Sequence, residues 1–134
     1  MYSLCIACSD PLGMENRKIT DGQITASTEY NAIHGATNGR LNFKAGGGKT
    51  GAWSARTNDV NQWLQVDLAA KTEVTGIQIQ GRQDADQWVT SFTISYSSDG
   101  TTYTFYQNGK VWKKIKIVAK QTQAINQFNL DSAT

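Results

Sequence analysis

The chain has 134 residues, enough for one domain with a real core. Hydrophobic residues make up 39% and charged residues 18%, with Thr, Ser, Asn, Gln and Gly filling the difference, a profile that suits a secreted β protein. A net charge of +2 is too small to argue for nucleic acid or an anionic membrane as an electrostatic partner, and no apolar run is long enough to span a bilayer.

Tyr2 to Cys8 has the character of a signal-peptide tail, but no basic start or full apolar segment precedes it, so it does not demonstrate export. Cys5 and Cys8 are spaced C-x-x-C. A redox pair of that spacing opens a helix in a βαβ unit, and a zinc site needs four ligands where this chain offers one histidine, His34. One or both cysteines therefore read as disulfide partners, paired with each other or with a cysteine outside this chain.

Period-two alternation dominates the middle of the chain. Leu64, Val66 and Leu68 share one face against Gln65 and Asp67; Ile77 and Ile79 alternate with Gln78 and Gln80. Phe92, Ile94 and Tyr96 alternate with Thr93, Ser95 and Ser97, and after a turn at Ser98-Asp99-Gly100 the pattern resumes at Tyr103 and Phe105. Such segments put apolar side chains on a core and polar ones in water, and Asp-Gly between them signals a hairpin. A helix near Lys113 to Ile125 is the alternative there, opposed by its β-branched content. Many short one-sided strands predict two packed antiparallel sheets. Three loops exceed what hairpins need: about Thr28 to Leu41, about Phe43 to Asn61, and Arg82 to Gln87. Long loops on a rigid sandwich are where binding usually sits. Gly46-Gly47-Gly48 with Lys49-Thr50 lacks the upstream glycine of a phosphate loop and reads as a flexible loop tip.

The segments "CSDPLGMEN" (Cys8 to Asn16), "ITDGQITAS" (Ile19 to Ser27), "GAWSARTNDVNQWLQVDL" (Gly51 to Leu68) and "VTGIQIQGRQDADQWVTSFTISYSSDG" (Val74 to Gly100) closely resemble the discoidin domain family, the coagulation factor V/VIII type C domain. The resemblance runs from about Cys8 to Gly109, with residues 1–7 as a leader or linker remnant. It implies an all-β fold, a jelly-roll β-sandwich or distorted barrel whose spike loops project from one end and carry ligand contacts. It also implies an extracellular, non-catalytic module of a multidomain protein that binds cell-surface glycan, protein or phospholipid. The family's first cysteine, matched by Cys8, pairs with one at the domain's end; here that partner is absent from the chain or is Cys5. "KVWKKIKIVAK" (Lys110 to Lys120) and the finish at "NQFNLDSAT" depart from the family, so the domain at 8–134 reads as truncated or divergent after about 109, lacking C-terminal strands.

Trp63 reads as a plug holding its strand start against the neighbouring sheet. Asp59 and Arg82, in the "QGR" match, are expected to pair and tie two spikes together, with Arg82 also facing the ligand groove. The expected ligand contacts are Tyr30, Asn31, Ile33, His34, Asn38, Arg82, Asp84 and Asp86. A groove of such planar polar groups suits glycan hydroxyls or polar protein surfaces. Tyr30, Ile33 and Leu41 are the tip candidates for the alternative, anionic phospholipid of the phosphatidylserine type. A carbohydrate-binding accessory module of a secreted hydrolase shares the fold. Trp53 and Trp88 read as core or loop support, and the lysines at 110, 113, 114, 116 and 120 as protection of an edge strand. One histidine and scattered acids supply no nucleophile, base and acid set, so no catalysis is expected. No metal or cofactor is assigned; Asp21 in "TDGQ" is the one residue weighed for structural calcium.

Overall fold

A computed structural model of the chain describes residues 10–113 and 127–131. Cys5, Cys8 and the segment 1–7 lie outside those residues, as do Lys114, Lys116, Lys120 and most of the helical alternative at 113–125. The described strands are β1 (Ile24–Ala26), β2 (Trp63–Val66), β3 (Ser91–Tyr96), β4 (Thr104–Phe105), β5 (Trp112–Lys113) and β6 (Gln127–Asp131). Among the described residues only short 3-10 turns accompany them, and the fold is all-β.

Every pairing is antiparallel, in the order β1-β2-β6-β3-β4. β6 enters the middle of the sheet, with Leu64 opposite Phe128 on one side and Ile94 opposite Phe128 on the other. β4 pairs with the C-terminal half of β3 (Ser95 opposite Phe105) and β5 with its N-terminal half (Phe92 opposite Trp112). β2 and β3 both run antiparallel to β6, so they run parallel to each other and leave the sheet at the same end.

The alternation in "WLQV" works as expected: Leu64 and Val66 are buried and their neighbours half-buried. With Ile24 of β1 they form the core, closed by Ile19 and Ala36 from the loops. Leu12, Met14, Trp53, Val89 and Phe92 pack around it. Each fully buried Leu, Ile or Val contributes roughly 1.5–3 kcal/mol, so this small cluster is the main hydrophobic store of the described residues.

The described strands form one hydrogen-bonded sheet, with Ile19 and Ala36 from the loops over the core. Two finer expectations change. The segment at 74–80 keeps its alternation but carries no ladder among the described residues: Ile77 and Ile79 are half-buried and Gln78 and Gln80 exposed. Alternation encodes which way side chains face, while a ladder also needs a neighbour in register. In β3 the pattern slips at its end, with Ser95 2% exposed and Tyr96 47% exposed. Ser95 lies opposite Phe105 of β4, while Tyr96 is the last residue of β3, opposite Thr104.

Candidate functional site

The loops between β1 and β2 are built on local caps. Asn31 is extended, and its Oδ1 accepts the Ile33 amide at 3.2 Å, starting a 3-10 turn over Ala32–His34. A second turn, Ala36–Gly39, starts after Gly35; Glu29 Oε1 accepts its Ala36 amide at 2.6 Å. This winding turns Asn38 inward, where it is 1% exposed. Its Nδ2 donates to the Ile33 carbonyl at 2.8 Å and the Thr50 carbonyl at 3.0 Å, binding the first loop to the second. Thr50 adds its amide and hydroxyl to the same Ile33 carbonyl, at 2.9 and 3.0 Å.

The glycine run is a closed turn rather than a flexible tip. Gly46 and Lys49 exchange two backbone hydrogen bonds, and Gly47 and Gly48 both have positive φ, 59° and 77°. That is the two-residue hairpin geometry in which glycine avoids a Cβ penalty. At Gly51 the requirement is space, because an added Cβ would lie 2.8 Å from both Asp84 Oδ1 and Gln83 Cβ. The Gly51 amide donates to that same Asp84 oxygen at 2.8 Å, so the second and third loops meet here.

Arg82 is the hub of the third loop. Its Nε and Nη2 grip Asp84 as a fork, at 2.7 and 2.9 Å. Nη1 donates to Gln87 Oε1 at 2.9 Å and approaches His34 Nε2 at 3.4 Å. Four of the five guanidinium N–H groups, one on Nε, two on Nη1 and one on Nη2, are thus engaged within the chain. The Arg82 guanidinium holds the Asp84 carboxyl far below the usual carboxylate range, and Asp84 in turn raises Arg82.

His34 is buried, and its tautomer is set by its neighbours. Asn31 Oδ1 already accepts a backbone amide, so that atom is the oxygen, and His34 Nδ1, 2.7 Å away, must be the donor. Nε2 then carries the lone pair that faces Arg82. The Tyr30 ring stands edge-on to the imidazole, centroids 5.3 Å apart and planes at 81°. Tyr30 remains 61% exposed, and Ile33, three residues on in the same loop, 44%. The loops thus present an exposed aromatic ring on a relay of His34, Arg82 and Asp84.

The structure sorts the expected site residues. Tyr30, Asn31, His34, Arg82 and Asp84 come together; Ile33 and Asp86 are exposed nearby in chain, and Leu41 is half-buried. Asn38 is an interior strut, not a groove residue. The expected Asp59–Arg82 pair is replaced by Arg82–Asp84, since a carboxylate two residues away reaches the fork with little chain to order. Asp59 instead accepts from the Asn61 amide, Gln62 and Thr57, which lower its pKa. Trp53 supports the loops as expected, with Nε1 donating to the Thr28 carbonyl at 2.9 Å, while Trp88 is 38% exposed.

Two polar hubs are not visible in the sequence pattern. Gln62, 6% exposed, accepts from Ser27 and Thr28 and donates to Thr57 and Asp59, anchoring the polar loop before β2. Arg40, 3% exposed, donates to the Met14 and Ile19 carbonyls and pairs with Asp21. Their only sequence signal is a long polar side chain just outside a strand or turn. Among the described residues no group of three or more His, Cys, Asp or Glu is placed to hold a metal ion.

Residues 23–134 match the family model of the F5/8 type C domain. The chain belongs to the F5/8 type C domain family. Lactadherin of Rattus norvegicus is 41% identical over 130 residues, covering 93% of this chain and 28% of lactadherin. EGF-like repeat and discoidin I-like domain-containing protein 3 of Homo sapiens is 42% identical over 111 residues, covering 77% of this chain and 22% of the relative. Coagulation factor VIII of Homo sapiens is 40% identical over 111 residues, covering 78% of the chain and 5% of the relative. Wild-type discoidin II from Dictyostelium discoideum shares the fold with a TM-score of 0.55 at 30% identity, covering 81% of this chain and 43% of discoidin II. This F5/8 type C chain spans less than half of each of these proteins, and the fold expected from its motifs is the discoidin fold.

Proposed function

We propose that this chain is an extracellular, non-catalytic binding module that recognises cell-surface glycan or protein ligands through its spike loops, in the service of cell adhesion. The observation that carries the reading is Tyr30, an exposed ring held in one orientation by a buried imidazole whose own partners are fixed. A pre-positioned aromatic face costs little ordering entropy on binding. The relay beneath it works as a support: both ring nitrogens of His34 face partners, Asn31 Oδ1 at 2.7 Å and Arg82 Nη1 at 3.4 Å. Membership of the F5/8 type C family supports the same reading.

Capture of the soluble chain on cells, with and without glycosidase or protease treatment, tests it. Tyr30→Ala is expected to lose capture with an unchanged melting temperature; capture at the parent level refutes the spike-loop reading. Exposure of Ile33, three residues from Tyr30 in the same loop, favours a second reading, insertion at an anionic phospholipid surface. Sedimentation with phosphatidylserine vesicles that disappears in Ile33→Ser would select it.

A further inference from the structure

A cleft of about 1000 Å³ opens at the pole opposite the spike loops. β2 leaves the sheet at Val66 into the segment at 67–75, β3 leaves at Tyr96 into the turn at 97–103, and the cleft lies between these two exits. Three tyrosines line it, Tyr96, Tyr103 and Tyr106, which remain 47%, 36% and 37% exposed. The Tyr103 ring is fixed by its hydroxyl, which donates to the Gly100 carbonyl at 2.9 Å with Gln65 Oε1 at 3.1 Å.

The charged groups of the lining are largely spoken for. Asp99 Oδ1 accepts from the Thr102 and Thr101 amides and the Ser97 hydroxyl, each at 2.8 Å. Those bonds also lower its pKa and keep it ionised as a turn anchor. Asp67 Oδ1 accepts the Ala69 amide at 2.7 Å. Against these two carboxylates the described residues of the lining have one ammonium, Lys71, so they offer no surplus positive charge to a phosphate or sulfate. The Ser97 and Thr72 hydroxyls are bonded within the chain, and the rest of the lining offers aromatic surface and the hydroxyls of Thr75, Ser98, Thr102 and Thr104.

The geometry points to a second binding site in this cleft, for a neutral saccharide. Aromatic faces suit the apolar C–H face of a pyranose ring, and neutral hydroxyls that both donate and accept match its hydroxyls. The site shares no residue with Tyr30 and its supports, so the two are separable.

The test compares the full chain with Tyr30→Ala, Tyr96→Ala and Thr102→Trp on an array of neutral, sialylated and sulfated glycans. Thr102→Trp narrows the cleft from an exposed rim position without deleting a packed side chain. Some neutral glycans are expected to survive Tyr30→Ala and to weaken about tenfold in both cleft variants. Melting temperatures equal to the parent's confirm that each variant is folded; if Tyr96→Ala is not, Thr102→Trp decides. The inference is overturned if no glycan survives Tyr30→Ala, if survivors ignore both cleft variants, or if only sulfated or sialylated glycans survive. A failure of the spike-loop reading looks different: cell capture by Thr102→Trp is then unchanged when Tyr30→Ala is added to it.

Discussion

Asn38→Ala separates a strut from a ligand contact. The change removes two hydrogen bonds, to the Ile33 and Thr50 carbonyls, each worth about 1 kcal/mol net. The Ile33 carbonyl keeps the Thr50 amide and hydroxyl, so its loss is small. The Thr50 carbonyl has Asn38 as its one donor among the described residues, and Thr50 is 7% exposed; leaving it unpaired adds about 1–3 kcal/mol. Asn38 Oδ1 has no partner, and deleting it returns roughly 1 kcal/mol. The net cost is about 2–4 kcal/mol, which for a domain of this size lowers the melting temperature by about 8–16 °C. Thermal and urea unfolding measure it, with ligand capture read on the folded fraction. Asn38→Asp is expected to lose more, because an oxygen then faces two carbonyls. A melting temperature within about 2 °C of the parent, with capture lost, would refute the reasoning and return Asn38 to the ligand groove.

The same geometry predicts three further outcomes. Arg40→Ala strands the Met14 and Ile19 carbonyls and removes a packed stem, costing about 2–3 kcal/mol by urea midpoint; the charge left on Asp21 is half-exposed and adds little. Gly51→Ala places a methyl against the third loop and is expected to cost about 1–3 kcal/mol and weaken capture as Arg82 shifts; an unperturbed protein would mean the loops do not meet there. Asp21, Asp59, Asp84 and Asp99 all have pKa values lowered from 3.8, through the Arg40 hydrogen bond, the Asn61 amide, the Arg82 fork and the Thr102 amide respectively. The unfolded chain thus takes up protons at higher pH than the folded one, so stability is full above the unfolded value and falls as acid is added. Urea midpoints should be flat from pH 7 to about pH 5 and decline below; a flat profile down to pH 3 would contradict the assignment.

Much of the fold was legible locally. The alternation in "WLQVDL" and "FTISY" placed β2 and β3, and Asp99-Gly100 placed the turn before β4, because facing and turn geometry depend on neighbours within a few residues. The family motifs flanked the long loops and contained Arg82. What the chain order could not show is which polar groups would find each other. Arg82 took Asp84 over Asp59, Asn38 turned inward on a 3-10 turn, and Gln62 and Arg40 became buried hubs. The alternation without a ladder among the described residues at 74–80 and a buried Ser95 likewise required the neighbours in space. Sequence pattern determines the direction of a side chain, because that is a property of the backbone period. Burial and hydrogen-bond partnership are decided only by tertiary structure, because they depend on segments tens of residues apart arriving within 3 Å of one another.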